Sequence, residues 1–260
     1  MFNLHVGIPG IVPDLLHSTV RAGLLRRDGA PAVLSQNLWQ EQFRGQVNAK
    51  GTKAALDFAV WCAVEATIAY LAAHGSVAIS QHALLGNPED CFLKRKVLPY
   101  TDARIKRVSE IFAAVPLTFH LTISSQFDYL STTMNRLPAG KALPQPCIVP
   151  SWSALVRRIR AAAPDRQIIV WDFEQPEKVA LAFMICLLDT EDSSLIETLD
   201  AHLSTTVKRP AHPNSRETPN IPHEMIDRMD LQYDLDLEAI KQIEGVSLIL
   251  PESIPEEFHL

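Results

Sequence analysis

The sequence predicts a three-layer α/β/α fold with a central, mainly parallel sheet. Short apolar runs alternate with helical patterns along the chain, as in parallel sheets that helices cover on both faces. The chain also opens with a strand, a tight loop and a helix, the unit on which phosphate-binding sites are commonly built. Of the 260 residues, 47% are hydrophobic and 21% are charged, which is an ordinary globular composition. We therefore expect a single domain over residues 1–260.

The opening unit is predicted from residues 2–29. Residues 2–6 read FNLHV and favour a short strand, which the loop sequence GIPGIVPD follows at once. A helical pattern starts at Pro13, with apolar residues four apart on one face. These residues are Leu16, Val20 and Leu24. The basic pair at 26–27 suits the negative end of a helix dipole and Gly29 suits a left-handed stop, so we expect the helix to end there.

The later elements follow the same two patterns. Strands are predicted where short apolar runs lie between turn signals, at residues 77–80, 117–123, 167–171 and 246–250. Helices are predicted where apolar residues recur three or four apart, at residues 53–74, 102–114, 127–136, 152–163 and 179–188, with a final helix inside 223–243. Ser151 is expected to cap the helix over 152–163. Residues 205–220 are polar, with three prolines, which predicts a surface loop insertion over 204–222.

The helix over 53–74 is the most apolar of these segments. Its expected buried stripe consists of Leu56, Val60, Val64, Ile68 and Leu71, and Gly75 is expected to end it. Asp57 and Glu65 lie within the helix, and two carboxylates in hydrocarbon would be costly. We therefore expect a core helix and no membrane span.

Charge and cysteine usage narrow the function classes. Lys and Arg number 24 against 30 Asp and Glu, a net charge of −6, which disfavours nucleic-acid binding as the main role. The four cysteines lie far apart without zinc or CxxC spacing, which indicates free thiols in a reducing compartment. No basic segment of signal-peptide type precedes the first strand. We expect a cytoplasmic protein with no metal site.

Three stretches, in order, resemble motifs of the bacterial branch of the P-loop sulfotransferase-like family. The first is LHVGIPGIVPD at residues 4–14, beside the family form LHIGxHKTGTT. The second joins SQH at 80–82 to ISSQFDYLST at 123–132, where the family has serine-x-glutamate and then a strand that ends in arginine, with a serine about eight residues on. The third is a tryptophan-led helix followed by VWDFE at 170–174, and YDLD at 233–236 resembles the family's final helix. Together these stretches span nearly the whole chain.

The resemblance implies a P-loop NTPase/sulfotransferase-like fold and a nucleotide donor. Members of the family transfer a sulfonate from 3′-phosphoadenosine 5′-phosphosulfate to a hydroxyl or amine. Their donor's 5′ phosphate lies on backbone N–H groups and a lysine of the first loop, and its 3′ phosphate lies on the arginine and serine of the second stretch. The implied donor-binding residues here are Gly7, Gly10, Asp14, Ser124 and Thr132, or Ser131 in place of Thr132 with a shift of one residue.

Several of these positions depart from the family pattern. Gly10 stands at the lysine position, and Pro13 and Asp14 stand at the hydroxyl positions. Proline donates no N–H, and a carboxylate about 4 Å from a phosphate is repelled by roughly 4 kcal/mol at an effective dielectric near 20. Ser124 stands at the arginine position, and a serine does not replace a bidentate guanidinium. Arg136, one helical turn beyond Thr132, is interpreted either as a solvated surface arginine or as a side chain that reaches back to this site.

His82 is the candidate catalytic residue. It stands where the family has a carboxylate that takes the acceptor's proton, and a histidine with a pKa near 6.5 is a competent base at neutral pH. The competing interpretation is a loop histidine bonded to a backbone carbonyl. His5 and His120, which lie within predicted strands, are interpreted as hydrogen-bonded core residues. Asp172 and Glu174 follow a strand where open sheets place ligands, although they could equally cap the next helix.

Three functions are compatible with these residues. The first is a sulfotransferase-like protein with reduced or lost donor binding, whose acceptor, if it is active, is a small molecule or a glycan. The second is a non-catalytic binding or scaffold protein on the same fold, with an unidentified protein partner. The third is an enzyme with a different substrate in the same crevice. Because fold alone does not select among them, enzyme status stays open at this point.

Overall fold

The computed structural model describes residues 1–7, 11–25, 32–34, 64–65, 67–69, 71–81, 84–86, 97–134, 149–207 and 221–260. Within these ranges, six strands form one sheet in which every neighbouring pair is parallel. In chain order the strands are β1 (Phe2–Gly7), β2 (Ala32–Leu34), β3 (Val77–Ser80), β4 (Leu117–Ile123), β5 (Gln167–Asp172) and β6 (Val246–Ile249). The predicted parallel sheet is therefore confirmed.

The strand order places β1 inside the sheet, next to β4. From one edge to the other the order is β2-β3-β1-β4-β5-β6. β1 and β4 pair over six residues, from Phe2 opposite Leu117 to Gly7 opposite Thr122. After β1 the chain continues toward one edge of the sheet, and after β4 it continues toward the other. The carboxyl ends of β1 and β4 therefore flank a topological switch point, which is where open α/β sheets bind ligands.

Helices cover both faces of the sheet. They are α1 (Ile11–Arg21), α2 (Thr101–Ile111), α3 (Gln126–Met134), α4 (Trp152–Ala162), α5 (Pro176–Leu188), α6 (Ser193–Thr206) and α7 (His223–Lys241), and two 3-10 turns follow β6 at Pro251–Ser253 and Glu256–Phe258. Helices α1, α5 and α6 share a core with Ile169 and Trp171 of β5. Helices α2, α3, α4 and α7 share the core that contains Ile168 and Val170. Because successive strand residues point to opposite faces, these are two helical layers around one sheet.

Helix α1 departs from its predicted end and its predicted buried face. It ends at Arg21, and Gly23 follows with a φ of 72°, so a left-handed glycine occurs before the predicted one. Leu15 and Leu16 are buried, whereas Val20 is 38% exposed. The predicted position of Val20 on the buried face is therefore wrong. The residues that face α5 and α6 are Leu15, Leu16 and Thr19, and Val20 lies on the other side of Leu16. Residues 26–31 lie outside the described ranges.

The described part of the predicted helix over 53–74 is helical at residues 64–65, 67–69 and 71–74, and Gly75 follows with a φ of 72°. Val64 and Leu71 pack against the core, but Ile68 is 44% exposed. The predicted place of Ile68 in the buried stripe is wrong. Thr67, which has no exposed surface, lies on the core-facing side of the helix with Val64 and Leu71. None of the helices in the described ranges combines the length and the apolar composition that crossing a membrane requires.

Other boundaries agree closely with the sequence patterns. The strands predicted at 77–80 and 117–123 begin and end as predicted. Ser151 is the N-cap of α4, and its hydroxyl accepts a hydrogen bond from the backbone N–H of Ala154 at 3.2 Å. Strand β2 and helix α6 have no counterpart among the predicted elements. Since α6 continues through residues 205–206, the predicted loop begins too early, and residues 208–220 lie outside the described ranges.

Candidate functional site

Gly7 ends β1 at the carboxyl edge of the sheet, beside the switch point. A Cβ atom built on Gly7 would collide with Oγ1 of Thr122 and would lie 2.7 Å from Nε2 of His5. A side chain of any size would force the two strands apart, so this position requires glycine. The requirement comes from the close approach of β4. The structure therefore places Gly7 where the resemblance implies the first loop to begin, and gives it a packing role of its own.

His5 lies directly behind Gly7 in a buried polar layer between the sheet and α5. Its Nδ1 is 2.8 Å from Oγ of Ser80 on β3, and its Nε2 is 3.0 Å from Oγ1 of Thr122 on β4. The side chain has no exposed surface and packs edge-on against Phe183 of α5. One ring nitrogen donates and the other accepts. The interpretation of His5 as a hydrogen-bonded core residue is confirmed.

His120 extends the same layer toward β5. The indole Nε1 of Trp171 donates to Nδ1 of His120 at 3.3 Å, and Nε2 lies 3.2 Å from Oδ1 of Asn3. Because an indole N–H only donates, Nδ1 accepts and the ring proton is on Nε2. Burial lowers the pKa of His120 to about 3. The ring is therefore neutral at physiological pH, and its interpretation as a core residue is also confirmed.

Two of the implied donor-binding residues lie after β4. Ser124 follows the strand directly, at the same edge as Gly7, and its carbonyl oxygen accepts a hydrogen bond from Nε1 of Trp152 at 2.8 Å. Thr132 lies six residues after the first residue of α3, which is about 9 Å along the helix axis. Both side chains are half-buried. The fold thus brings Ser124 and Gly7 to one edge and sets Thr132 further along a helix that starts there.

The other predicted site residues are described only in part or not at all. Gly10, His82 and Arg136 lie outside the described residues. Asp14 belongs to the first turn of α1, but its side chain is not among the described ones. The candidate base and the family's lysine position are therefore still sequence predictions.

Asp172, at the carboxyl end of β5, is nearly buried, with 5% exposure. Its Oδ1 accepts two hydrogen bonds, from the hydroxyl of Tyr233 at 2.6 Å and from the backbone N–H of Glu174 at 2.9 Å. Burial raises the pKa of Asp172, these hydrogen bonds lower it, and the charge of Glu252 raises it. Burial and the neighbouring carboxylates raise the pKa of Tyr233 far above its ordinary value. Tyr233 therefore stays protonated and acts as the donor of the pair.

Glu174 reaches across from β5 to the loop after β4. Its Oε1 accepts a hydrogen bond from the backbone N–H of Ser125. Although the residue is exposed overall, its carboxylate is partly desolvated, and this burial raises its pKa. The charges of Asp128 and Asp172 raise the pKa further, while the hydrogen bonds of Ser125 lower it. Glu174 therefore lies near two other carboxylates that repel it, Asp128 and Asp172.

Neither Asp172 nor Glu174 caps the helix that follows. Gln175 occupies the N-cap position of α5 without a side-chain capping bond, and Pro176 begins the helix. The carboxylate of Asp172 instead closes a turn onto the backbone of Glu174. The alternative that these two acids serve only as caps of α5 is therefore wrong, and their position at the sheet edge is free for another role.

Asp236 of α7 is a buried acid in the YDLD stretch, for which the sequence patterns predicted no role of its own. It has 1% exposure and accepts hydrogen bonds from the backbone N–H groups of Trp152 at 2.8 Å and Ser153 at 3.2 Å. The hydroxyls of Ser151 and Ser153 donate to it at 2.9 and 2.7 Å, and Nε2 of Gln126 donates at 3.0 Å. Asp236 therefore holds the N-terminus of α4 and the start of α3 against α7.

A sequence signal for Asp236 does exist. The buried residues of α7 are Met229, Tyr233, Asp236 and Ile240, which recur at the helical spacing of three and four. A carboxylate at a core position of such a stripe must be paired or hydrogen-bonded, because burying it alone is costly. The partner could not be read from the sequence, since α4 lies about eighty residues earlier in the chain.

The described part of the edge is electrostatically negative. Among the described residues, no lysine or arginine forms an ion pair with Asp172 or Glu174; the ion pairs found there involve Asp102, Glu110, Asp189 and Glu238 instead. The edge offers carboxylate, hydroxyl and carbonyl oxygens, which accept hydrogen bonds from hydroxyl or ammonium groups. No cluster of three metal-ligating side chains occurs within the described ranges.

Comparisons with protein-family models, with curated proteins and with solved structures return no match for this chain.

Proposed function

We propose that this chain is a sulfotransferase-like protein in which donor binding is reduced or lost, and that it acts by binding at the sheet edge rather than by transferring a sulfonate. The observation that carries the proposal is the pair Asp172 and Glu174. These carboxylates lie at the carboxyl ends of the strands without a described cationic partner, where the resemblance would have a polyanionic nucleotide bind.

The sheet topology supports the part of the proposal that concerns the fold. All neighbouring strands are parallel, β1 pairs with β4, and α1 begins four residues after the end of β1. Such an arrangement directs the N-terminus of α1 and the loop after β4 toward one crevice. The described ends of β1 and β4, which belong to two of the stretches that carry the resemblance, therefore lie at one edge of the sheet, and this supports a scaffold of that kind.

The residues at the implied donor positions do not fit the phosphates of 3′-phosphoadenosine 5′-phosphosulfate. Gly10 supplies no cation where the family has lysine, and Ser124 supplies none where it has arginine. Ser124 also engages Trp152 through its backbone. Because neutral groups do not replace a bidentate guanidinium, we assign no chemical step to the donor.

The charge at the edge adds a repulsive contribution. A carboxylate about 6 Å from a phosphate charge is repelled by roughly 3 kcal/mol at an effective dielectric near 20. Solvent screens this repulsion at the exposed Glu174 and screens it less at the buried Asp172. Repulsion of this size, together with the missing lysine and arginine, would raise a micromolar dissociation constant into the millimolar range or beyond.

Isothermal titration with adenosine 3′,5′-bisphosphate tests the proposal directly. We expect no measurable heat of binding to the unmodified chain at millimolar nucleotide. The double variant Asp172→Asn with Glu174→Gln removes two charges from the edge and should bind the nucleotide more tightly than the unmodified chain.

A matched control changes two exposed acids elsewhere, Asp165→Asn with Glu191→Gln, and should leave nucleotide binding unchanged. Binding to the unmodified chain with a dissociation constant below about 100 μM would contradict the proposal. It would favour instead an active transferase that uses a small-molecule or glycan acceptor and His82 as its base.

A further inference from the structure

The outward side of α7 exposes two leucines that the core does not use. Leu231 is 61% exposed and Leu235 is 56% exposed. Residues four apart are neighbours on a helix surface, so the two side chains form one apolar spot. The opposite side of the same helix buries Met229, Tyr233 and Ile240. The leucines therefore lie on the helix face turned away from the core.

Carboxylates surround this apolar spot. They lie seven and four residues before Leu231 and three and seven residues after it, which places them on the same side of the helix. They are Glu224, Asp227, Asp234 and Glu238, and all four are exposed. Glu238 pairs with Lys241 at 2.6 Å, and no ion pair within the described residues involves the other three. We call these four acids, Arg228 and the two leucines the α7 stripe.

We propose that the α7 stripe docks an amphipathic helix of a partner protein, whose apolar anchors are flanked by lysine or arginine. The leucine pair offers the apolar contact. Four carboxylates against two cations, Arg228 and the Lys241 that pairs with Glu238, leave the surface negative, which selects a basic partner. Complementary charge around an apolar contact sets both the orientation and the specificity of helix pairing. The proposal does not depend on whether a nucleotide binds at the sheet edge.

Two other occupants are disfavoured by the same charges. A second copy of the chain would bring its own α7 stripe, and so would place carboxylates against carboxylates. An anionic lipid surface would meet the same repulsion, because membrane-binding helices carry lysine and arginine around their apolar face. A basic helix is the occupant that turns the surrounding charge into attraction.

Fluorescence anisotropy with a labelled 18-residue helical peptide of leucine and lysine tests the proposal. The peptide carries leucines at helical spacing and lysines beside them. We expect binding with a dissociation constant of tens of micromolar, which is typical of a small transient interface. The double variant Leu231→Ser with Leu235→Ser should weaken binding at least tenfold. Asp227→Asn with Asp234→Asn should weaken it about fivefold and reduce its dependence on salt.

Controls separate docking at this stripe from general attraction to an acidic protein. The variants Ile68→Ser and Asp165→Asn with Glu191→Gln, which alter exposed residues elsewhere, should leave peptide binding unchanged. A peptide of the same composition with scrambled leucines should bind at least tenfold more weakly than the amphipathic one. Because every substituted residue is exposed, unchanged melting temperatures will verify that the variants fold.

Three results would overturn the proposal. One is peptide binding that is absent, or that survives loss of both leucines. Another is a concentration-dependent dimer in analytical ultracentrifugation that Leu231→Ser with Leu235→Ser abolishes, which would assign the stripe to a second copy. The third is co-sedimentation with anionic vesicles that depends on the same leucines, which would assign it to a lipid surface.

Discussion

Asp236 and Asp172 are both nearly buried carboxylates, but their surroundings satisfy them to different extents. Asp236 accepts five hydrogen bonds from α3, α4 and the residue that caps α4, divided between its two oxygens. Asp172 accepts two, both at Oδ1. Asp172 also lies near the charges of Glu174 and Glu252, and its pKa is raised.

The comparison separates an acid that holds the fold together from acids at the edge of the sheet, where we propose that a ligand binds. Asp236 compensates its burial by satisfying the first N–H groups of α4, which have no partner within the helix. Asp172 and Glu174 carry uncompensated negative charge at the carboxyl ends of the strands. A buried acid that is fully hydrogen-bonded contributes to stability, whereas a desolvated and partly repelled one is typical of functional sites.

The largest expected effect is that of Asp236→Ala. The substitution leaves the N-terminus of α4 and several buried donors without their acceptor, so it should lower the free energy of unfolding by about 3–5 kcal/mol. Urea denaturation monitored by circular dichroism measures this loss. Asp234→Asn, on the exposed side of the same helix, is the matched control and should change stability by less than about 0.5 kcal/mol. A loss below about 1 kcal/mol for Asp236→Ala would show that Asp236 does not organise α4.

An intermediate effect is expected for Tyr233→Phe. The phenol donates a 2.6 Å hydrogen bond to Asp172, and hydrogen bonds to charged groups contribute about 1.5–3 kcal/mol. Removing it also raises the pKa of Asp172 further above its ordinary 3.8. The loss of stability should therefore be small at low pH, where Asp172 is protonated in the folded and in the unfolded protein. The loss should increase as the pH rises through the pKa of Asp172 in the folded protein.

A double-mutant cycle with Asp172→Asn isolates this pair. We expect a coupling free energy of about 1 kcal/mol or more at pH 7, measured by urea denaturation of the four proteins. Additive effects of the two substitutions would mean that the Tyr233 hydroxyl does not support the carboxylate.

The smallest expected effect is that of Glu174→Gln, and it has the opposite sign. The amide oxygen can still accept the hydrogen bond from Ser125, but the repulsion from Asp128 and Asp172 disappears. The pKa of Glu174 in the folded protein is raised above its ordinary 4.5. Its negative charge therefore destabilises the folded protein only at pH values above 4.5, where Glu174 ionises in the unfolded protein. The variant should be more stable by a few tenths of a kcal/mol at pH 7, after allowance for solvent screening, and equally stable near pH 3.5. A loss of stability at pH 7 would indicate that the carboxylate is needed for its hydrogen bond.

Much of the fold could be predicted because its signals are local. The short runs at 77–80 and 117–123 contain β-branched residues and lie between turn signals, which favours buried strands, and Ser151 precedes a clear helical pattern. Helix α6 was missed although Asp192 caps it and Leu195, Leu199 and Leu203 recur four apart. Serine and threonine residues flank those leucines, at 193–194 before them and at 204–206 after them, and these polar ends concealed the helical pattern. Strand β2 has three residues, too few for periodicity to show.

The candidate site was predictable only in part because its contacts are not local. The ends of β4 and β5 could be placed at one edge, which anticipates Ser124, Asp172 and Glu174. The bonds of His5 to Ser80 and Thr122 depend on the register of three strands, which residue spacing does not specify. The link between Asp172 and Tyr233 depends on how α7 packs onto the sheet. Strand register and helix packing are tertiary features, and local sequence patterns do not determine them.

The claim that uncompensated carboxylates mark the sheet edge is tested most directly by a ¹³C NMR titration of the side-chain carboxyl carbons. Assigned resonances of Asp172 and Glu174 should show midpoints above their ordinary values of 3.8 and 4.5. Midpoints at or below those values for both residues would contradict this claim, because they would mean that hydrogen bonds or neighbouring cations already compensate the two charges.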